Sequence, residues 1–112
     1  MVVEAVKASE TLIKDGINAE IVDLRSLKPL DEELVFESVR KTGRLVVADA
    51  SWKTCGAAAE ISALVVSDVF EYLKSPIMRV TLPDVPAPAS CVLEKAFYPD
   101  SEDIASAVRK IV

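Results

Sequence analysis

Residues 43–49 read Gly43-Arg44-Leu45-Val46-Val47-Ala48-Asp49. Four apolar residues in a row stand between a glycine-led turn and an acid. A run so short and so uniformly apolar reads as a strand covered on both faces, as in a parallel sheet. A parallel sheet needs crossover connections, usually helices. The flanking sequence supplies them. Before the run, Asp31 is placed to cap a helix carrying Glu32 and Glu33 in its first turn. Leu30 and Val35 form a hydrophobic staple across that start, and the helix ends at Gly43. After the run, Ala50 to Gly56 reads as a loop and Ala57 to Leu73 as a helix.

The same alternation extends in both directions. Val2, Ala5, Val6, Ser9, Leu12 and Ile13 lie on one face of a first helix that reaches about Asp15. Gly16 suits a left-handed helix ending, with Ile17 returning onto Leu12. Ala19 to Leu24 is expected as a strand centred on Ile21 and Val22. Pro76 to Leu82 alternates apolar and polar residues, which predicts a half-exposed edge strand. Pro83, Pro86 and Pro88 stiffen the connection that follows. A short helix is expected near Leu93 to Phe97. The last helix carries Ile104, Ala105, Val108 and Ile111 on one face. The fold class is therefore α/β, with a mostly parallel sheet.

Length and composition bound the function. At 112 residues the chain is a single domain, residues 1–112. Its 51% hydrophobic and 28% charged content is that of a globular protein. A net charge of −5 argues against a nucleic-acid partner. No apolar stretch is long enough to serve as a membrane span. There is no histidine, which removes the commonest general base and metal ligand. Cys55 and Cys91 stand alone, outside any metal or disulfide pattern, and read as small semi-buried side chains. Gly16, Gly43 and Gly56 form no phosphate-binding loop. No catalytic, cofactor-binding or metal-binding residue is expected within the chain.

Two features still point to interactions. Asp23 and Asp49 end successive strands, where α/β proteins place ligands. A receiver-like signalling module would use such acids, but its acidic cluster and late-strand lysine are missing. Solvent-facing strand ends are the preferred reading. The helix from Ala57 to Leu73 is apolar nearly all round, with one narrow polar stripe of Glu60, Ser67 and Glu71. A helix lying on a sheet needs one apolar face, so a partner is expected to cover the rest. Trp52, Ala58, Ile61, Val65 and Phe70 are the candidate interface residues, Trp52 being of a type enriched at interfaces.

In this order the segments resemble the transketolase C-terminal domain family. The nearest likeness is to β subunits of thiamine-diphosphate-dependent 2-oxoacid dehydrogenases, the E1 components of pyruvate, branched-chain and acetoin type. Residues 16–31, Lys41 to Val47, Trp52 to Gly56 with Ala59-Glu60-Ile61, Arg79 to Pro86, Leu93-Glu94 and Pro99 carry the resemblance. It implies a three-layer α/β/α domain without a catalytic role. Thiamine diphosphate and Mg²⁺ would be bound elsewhere in the holoenzyme. The implied partners are an E1 α subunit and a second β subunit in a heterotetramer, with the E2 subunit-binding domain docking where such a core exists. The implied compartment is the bacterial or archaeal cytoplasm, or the mitochondrial matrix. The wording of Trp52 to Gly56 favours this branch over transketolase or 1-deoxyxylulose-phosphate synthase.

The chain departs from the family at Ala57 and Ala58, where glycine is frequent, and at Ala48-Asp49, where some branches place His-Glu. The family domain also opens with one or two strands before its first helix, one of them central in the sheet. The chain here is expected to lack them, and hence to show exposed apolar surface and low stability on its own.

Overall fold

A computed structural model describes residues 1–112. Five helices, a 3₁₀ turn and two strands follow one another: α1 (Val2–Lys14), α2 (Glu32–Thr42), β1 (Val46–Trp52), α3 (Ala57–Val69), the turn Phe70–Tyr72, β2 (Met78–Leu82), α4 (Cys91–Phe97) and α5 (Ser101–Arg109). β1 and β2 pair in parallel, with Val46, Val47 and Ala48 opposite Met78, Arg79 and Val80. The register slips after Ala48, and Trp52 then faces Leu82.

Sequence sets the helix ends through side-chain and backbone caps. The Asp31 carboxylate accepts from the Leu34 N–H at 3.1 Å. Gly43 closes α2 in the left-handed region, at φ 72°, its N–H donating to the Val39 carbonyl. Gly16 (φ 77°) lets α1 end in a Schellman pair of bonds, Ile17 N–H to Leu12 O and Gly16 N–H to Ile13 O. Asp100 and Asp103 form a reciprocal capping box at the start of α5. That box was not among the expected caps.

The layers form around the strand pair. On one side Val35, Phe36, Val39, Ala58, Ile61, Val65 and Val69 of α2 and α3 enclose Val47. On the other, Ala8 and Leu12 of α1 pack with Ile104, Ala105 and Ala107 of α5 against Val80, with Val46, Ala48 and Met78 beside them. Alternate residues of β1 thus serve opposite cores. Polar contacts hold α1 alongside α5 in the same direction. Near their N-termini the Glu4 carboxylate accepts from the Ser101 N–H, and near their C-termini Arg109 pairs with Asp15 at 2.9 Å. The arrangement is a three-layer α/β/α domain.

Four expectations need correction. β1 runs to Trp52, so Ala50, Ser51 and Trp52 belong to the strand and not to the loop expected from Ala50 to Gly56. Ala19 to Leu24 is extended but unpaired, so it is not a strand of the sheet. Its apolar residues lack a hydrogen-bonding neighbour. The helix after Gly56 ends at Val69, where the backbone leaves α-helical values (φ −135°), and Phe70–Tyr72 continue as 3₁₀. Cys55 and Cys91 are both exposed.

The two-sided core makes a sharp contrast between neighbouring residues. Leu12 is 1% exposed and Ile13 is 61% exposed. Leu12→Ala is expected to lower stability by about 2–5 kcal/mol. Ile13→Ala should change it by no more than about 0.5 kcal/mol. Urea unfolding followed by circular dichroism measures both.

Candidate functional site

The C-terminal end of β1 leads into the loop Lys53 to Gly56, and side chains from distant sequence fix its shape. The Asp84 carboxylate accepts from the Thr54 N–H at 3.0 Å and from its hydroxyl at 2.7 Å. These bonds, the hydroxyl's first, hold the Asp84 carboxyl below its ordinary pKa. The Lys53 carbonyl accepts from the Arg79 guanidinium at 3.1 Å, and the Lys53 N–H donates to the Leu82 carbonyl at 3.1 Å. Cys55 adopts a positive φ of 58°. Gly56 allows the chain to pass against the strand, because a Cβ there would overlap the Trp52 carbonyl oxygen and the Ser51 hydroxyl. The result is a fixed loop that leaves Trp52 58% exposed.

The candidate interface residues divide into two groups. Ala58, Ile61 and Val65 lie in the core between α2 and α3, and none is more than 5% exposed. They are covered by Val35, Phe36 and Val39 of the same chain, so a partner does not reach them. Trp52 and Phe70 remain open to one. On α3 the surface face runs one step further round, through Ala63 and Val66 to Phe70, with Ala59 half-buried behind them. The expected surplus of apolar surface is therefore present, but its phase differs from the one predicted. A helix apolar on all sides does not reveal from sequence which stripe faces its own sheet. Val92 and Leu93 of α4 are a further exposed pair.

Neither expected strand-end acid ends a strand, since β1 runs on past Asp49 to Trp52 and Asp23 lies in the unpaired segment; both are engaged locally. Asp49 accepts the Ser51 hydroxyl, and Asp23 pairs with Arg25 at 3.3 Å. No three acidic or cysteine side chains come together as metal ligands. The pairs that shift titration are all on the surface. Lys41 draws Glu20 below its ordinary pKa, Lys7 does the same to Glu4, and Glu33 raises Arg40. None joins an acid, a base and a nucleophile around a common point. No helix is long and apolar enough to cross a membrane.

A cavity of about 760 Å³ lies on the free side of β1. Residues 17–24 form one wall and Val46 to Asp49 the opposite one. Ala5, Ala8 and Leu12 line it from α1, and Val35 and Ile61 from the other layer. Sequence reading anticipated exposed apolar surface but not a cleft reaching between both helix layers.

A family model described as the C-terminal domain of transketolase matches residues 1–104. The pyruvate dehydrogenase E1 component subunit beta of Rickettsia bellii is 44% identical over 107 residues, which is 96% of this chain and 33% of that protein. The acetoin:2,6-dichlorophenolindophenol oxidoreductase subunit beta of Cupriavidus necator is 49% identical over 110 residues, 98% of this chain and 32% of that protein. Among solved structures, a split gene transketolase described as an inactive beta4 tetramer superposes with a TM-score of 0.84 at 29% identity. It covers 97% of this chain and 35% of its own. The chain spans about a third of the length of these proteins.

The loop geometry gives a direct test. Thr54→Val removes the donor that most strongly lowers the Asp84 pKa. Carboxyl-detected NMR should show Asp84 titrating at higher pH in the variant. In the parent, a lowered folded-state pKa means the latch contributes at pH above the unfolded-state value and is lost as pH falls through the folded one. Exchange at the Thr54 amide, corrected for its intrinsic pH dependence, should gain protection as pH rises through that interval.

Proposed function

Because this chain belongs to the transketolase C-terminal domain family, we propose that it is the assembly and docking domain of a 2-oxoacid dehydrogenase E1 β subunit. The holoenzyme oxidatively decarboxylates a 2-oxoacid and passes the acyl group to lipoamide. Its C-terminal domain carries no reacting group. It presents apolar surface to an E1 α subunit and to a second β subunit, and where an acyltransferase core exists, to the E2 subunit-binding domain. The observation that carries this reading is the exposed line of Val66 on α3 and Phe70 in the 3₁₀ turn that continues it, at 47% and 67% exposure. Large apolar side chains grouped on one helix face characterise a contact surface. Trp52, held out by the Asp84 latch, is a second anchor for the same purpose.

Thiamine diphosphate and Mg²⁺ belong to the holoenzyme in this reading. On this reading the chemistry of decarboxylation lies in other parts of the enzyme, and this domain sets how those parts meet.

A domain exchange tests the assignment. The matching third of the Cupriavidus necator subunit beta would be replaced by this chain, and the hybrid coexpressed with the other subunits of its enzyme. Native mass spectrometry should show an assembled complex, and the complex should retain its oxidoreductase activity. Val66→Glu with Phe70→Glu should abolish assembly while the hybrid subunit's circular dichroism stays unchanged. Full assembly of the double variant would refute the proposed surface.

A further inference from the structure

Asp15-Gly16 is the only place in the chain where glycine follows an aspartate or an asparagine. An Asp-Gly step is the one most open to ring closure on its own backbone. With no Cβ on the second residue, its nitrogen can approach the side-chain carboxyl carbon of the first and close a five-membered ring. Nothing crowds this glycine from outside, since a Cβ built on Gly16 would meet no atom within 4 Å. Water reaches the step, because Asp15 and Gly16 are both exposed. It lies where α1 passes into the extended segment, and Gly16 turns the chain there with a φ of 77°.

Two restraints hold this step out of the reactive geometry. The first is in the backbone. Asp15 caps α1 with ψ 3°, so its own nitrogen, and not its Cβ, eclipses the Gly16 nitrogen. Ring closure needs Cβ in that place, and therefore a large turn about the Asp15 Cα–C bond. The Gly16 N–H is meanwhile committed to the Ile13 carbonyl at 3.0 Å, and the Ile17 N–H to the Leu12 carbonyl at 2.9 Å. The second restraint is a side chain from the far end of the chain. One Asp15 carboxylate oxygen accepts from Nε of Arg109 at 3.0 Å and from Nη2 at 2.9 Å. Glu102 steadies the same guanidinium, accepting from Nη1 at 2.7 Å. The reacting carboxyl is thus tied to α5.

We propose that Asp15-Gly16 is a self-modification site that converts from an aspartyl to an isoaspartyl linkage, at a rate governed by Arg109. The only co-reactant is water. The Gly16 nitrogen attacks Asp15 Cγ. An N–Cγ bond forms and a Cγ–Oδ bond breaks. One water leaves, made of the carboxyl OH and the amide proton. Water then opens the ring. Addition at Cγ restores the original chain. Addition at the Asp15 main-chain carbonyl carbon breaks its bond to the Gly16 nitrogen, and the chain thereafter runs through Cβ and Cγ. Nothing is oxidised or reduced. The product backbone is one methylene longer at the end of α1 and carries a free carboxyl beside it. That extra length shifts the two closing bonds of the helix and displaces Ile17 from the core of α1 and α5. Arg109 is a positioning residue, since it restrains the carboxyl and exchanges no bond with it. The site is separate from the Val66 and Phe70 surface and does not depend on its assignment.

The test warms four samples at neutral pH: the folded chain, the same chain in urea, and the Arg109→Gln and Arg109→Lys variants. Isoaspartate is counted by methyl transfer with an isoaspartyl methyltransferase and assigned to a residue by electron-transfer dissociation mass spectrometry. The chain in urea is expected to convert at Asp15 at least about tenfold faster than the folded chain, because both restraints on the reacting atoms are gone. Arg109→Gln, at unchanged circular dichroism, is expected to convert about threefold faster than the parent, the factor that loss of one half-exposed ion pair implies. Arg109→Lys, which keeps a cation, should fall between them. Amide exchange at Leu12 and Ala105 should stay at the parent rate in both variants. If Arg109→Gln loses its native circular dichroism, molar potassium chloride added to the folded parent replaces it with the same expectation, since salt screens an exposed pair. Equal rates in urea and in the folded chain overturn the proposal, as does the absence of isoaspartate at Asp15 in urea. So does a rate unchanged by Arg109→Gln or, in its place, by salt. Faster conversion matched by faster amide exchange throughout α1 and α5 would make Arg109 a structural residue only, and would overturn it as well.

Discussion

Every strand-to-strand hydrogen bond in this molecule joins β1 to β2, and both helix layers rest on that one pair. Val47 faces α2 and α3, whereas Val46 and Ala48 face α1 and α5. A two-stranded ribbon offers little area for two layers, and an isolated strand pair is marginal in water. The helices therefore also pack against one another. The small residues Ala8, Ala105 and Ala107 allow α1 and α5 to approach closely, and Ala58 does the same beneath α2. The helices extend past the free edge of β1 and enclose the cleft there.

Most of the local structure was legible in the sequence because its determinants are local. Asp31, Gly16 and Gly43 act within a few residues of themselves, and each does what its type and position imply. The β1 run was legible from its uninterrupted apolarity. The segment from Ala19 to Leu24 shows the boundary of such reading. Its composition favours extended backbone, and extended backbone is what forms. Pairing, however, is a property of two segments, and composition carries no information about whether a neighbour is at hand.

The surface of α3 shows a different boundary. Its apolar positions outnumber those that one sheet can cover, so apolarity alone does not distinguish Ile61 and Val65, which are core, from Val66 and Phe70, which are not. The phase is set by where α2 lands, through Val35, Phe36 and Val39. The Thr54–Asp84 latch was illegible for a similar reason. Its partners are thirty residues apart and meet because β1 and β2 end side by side.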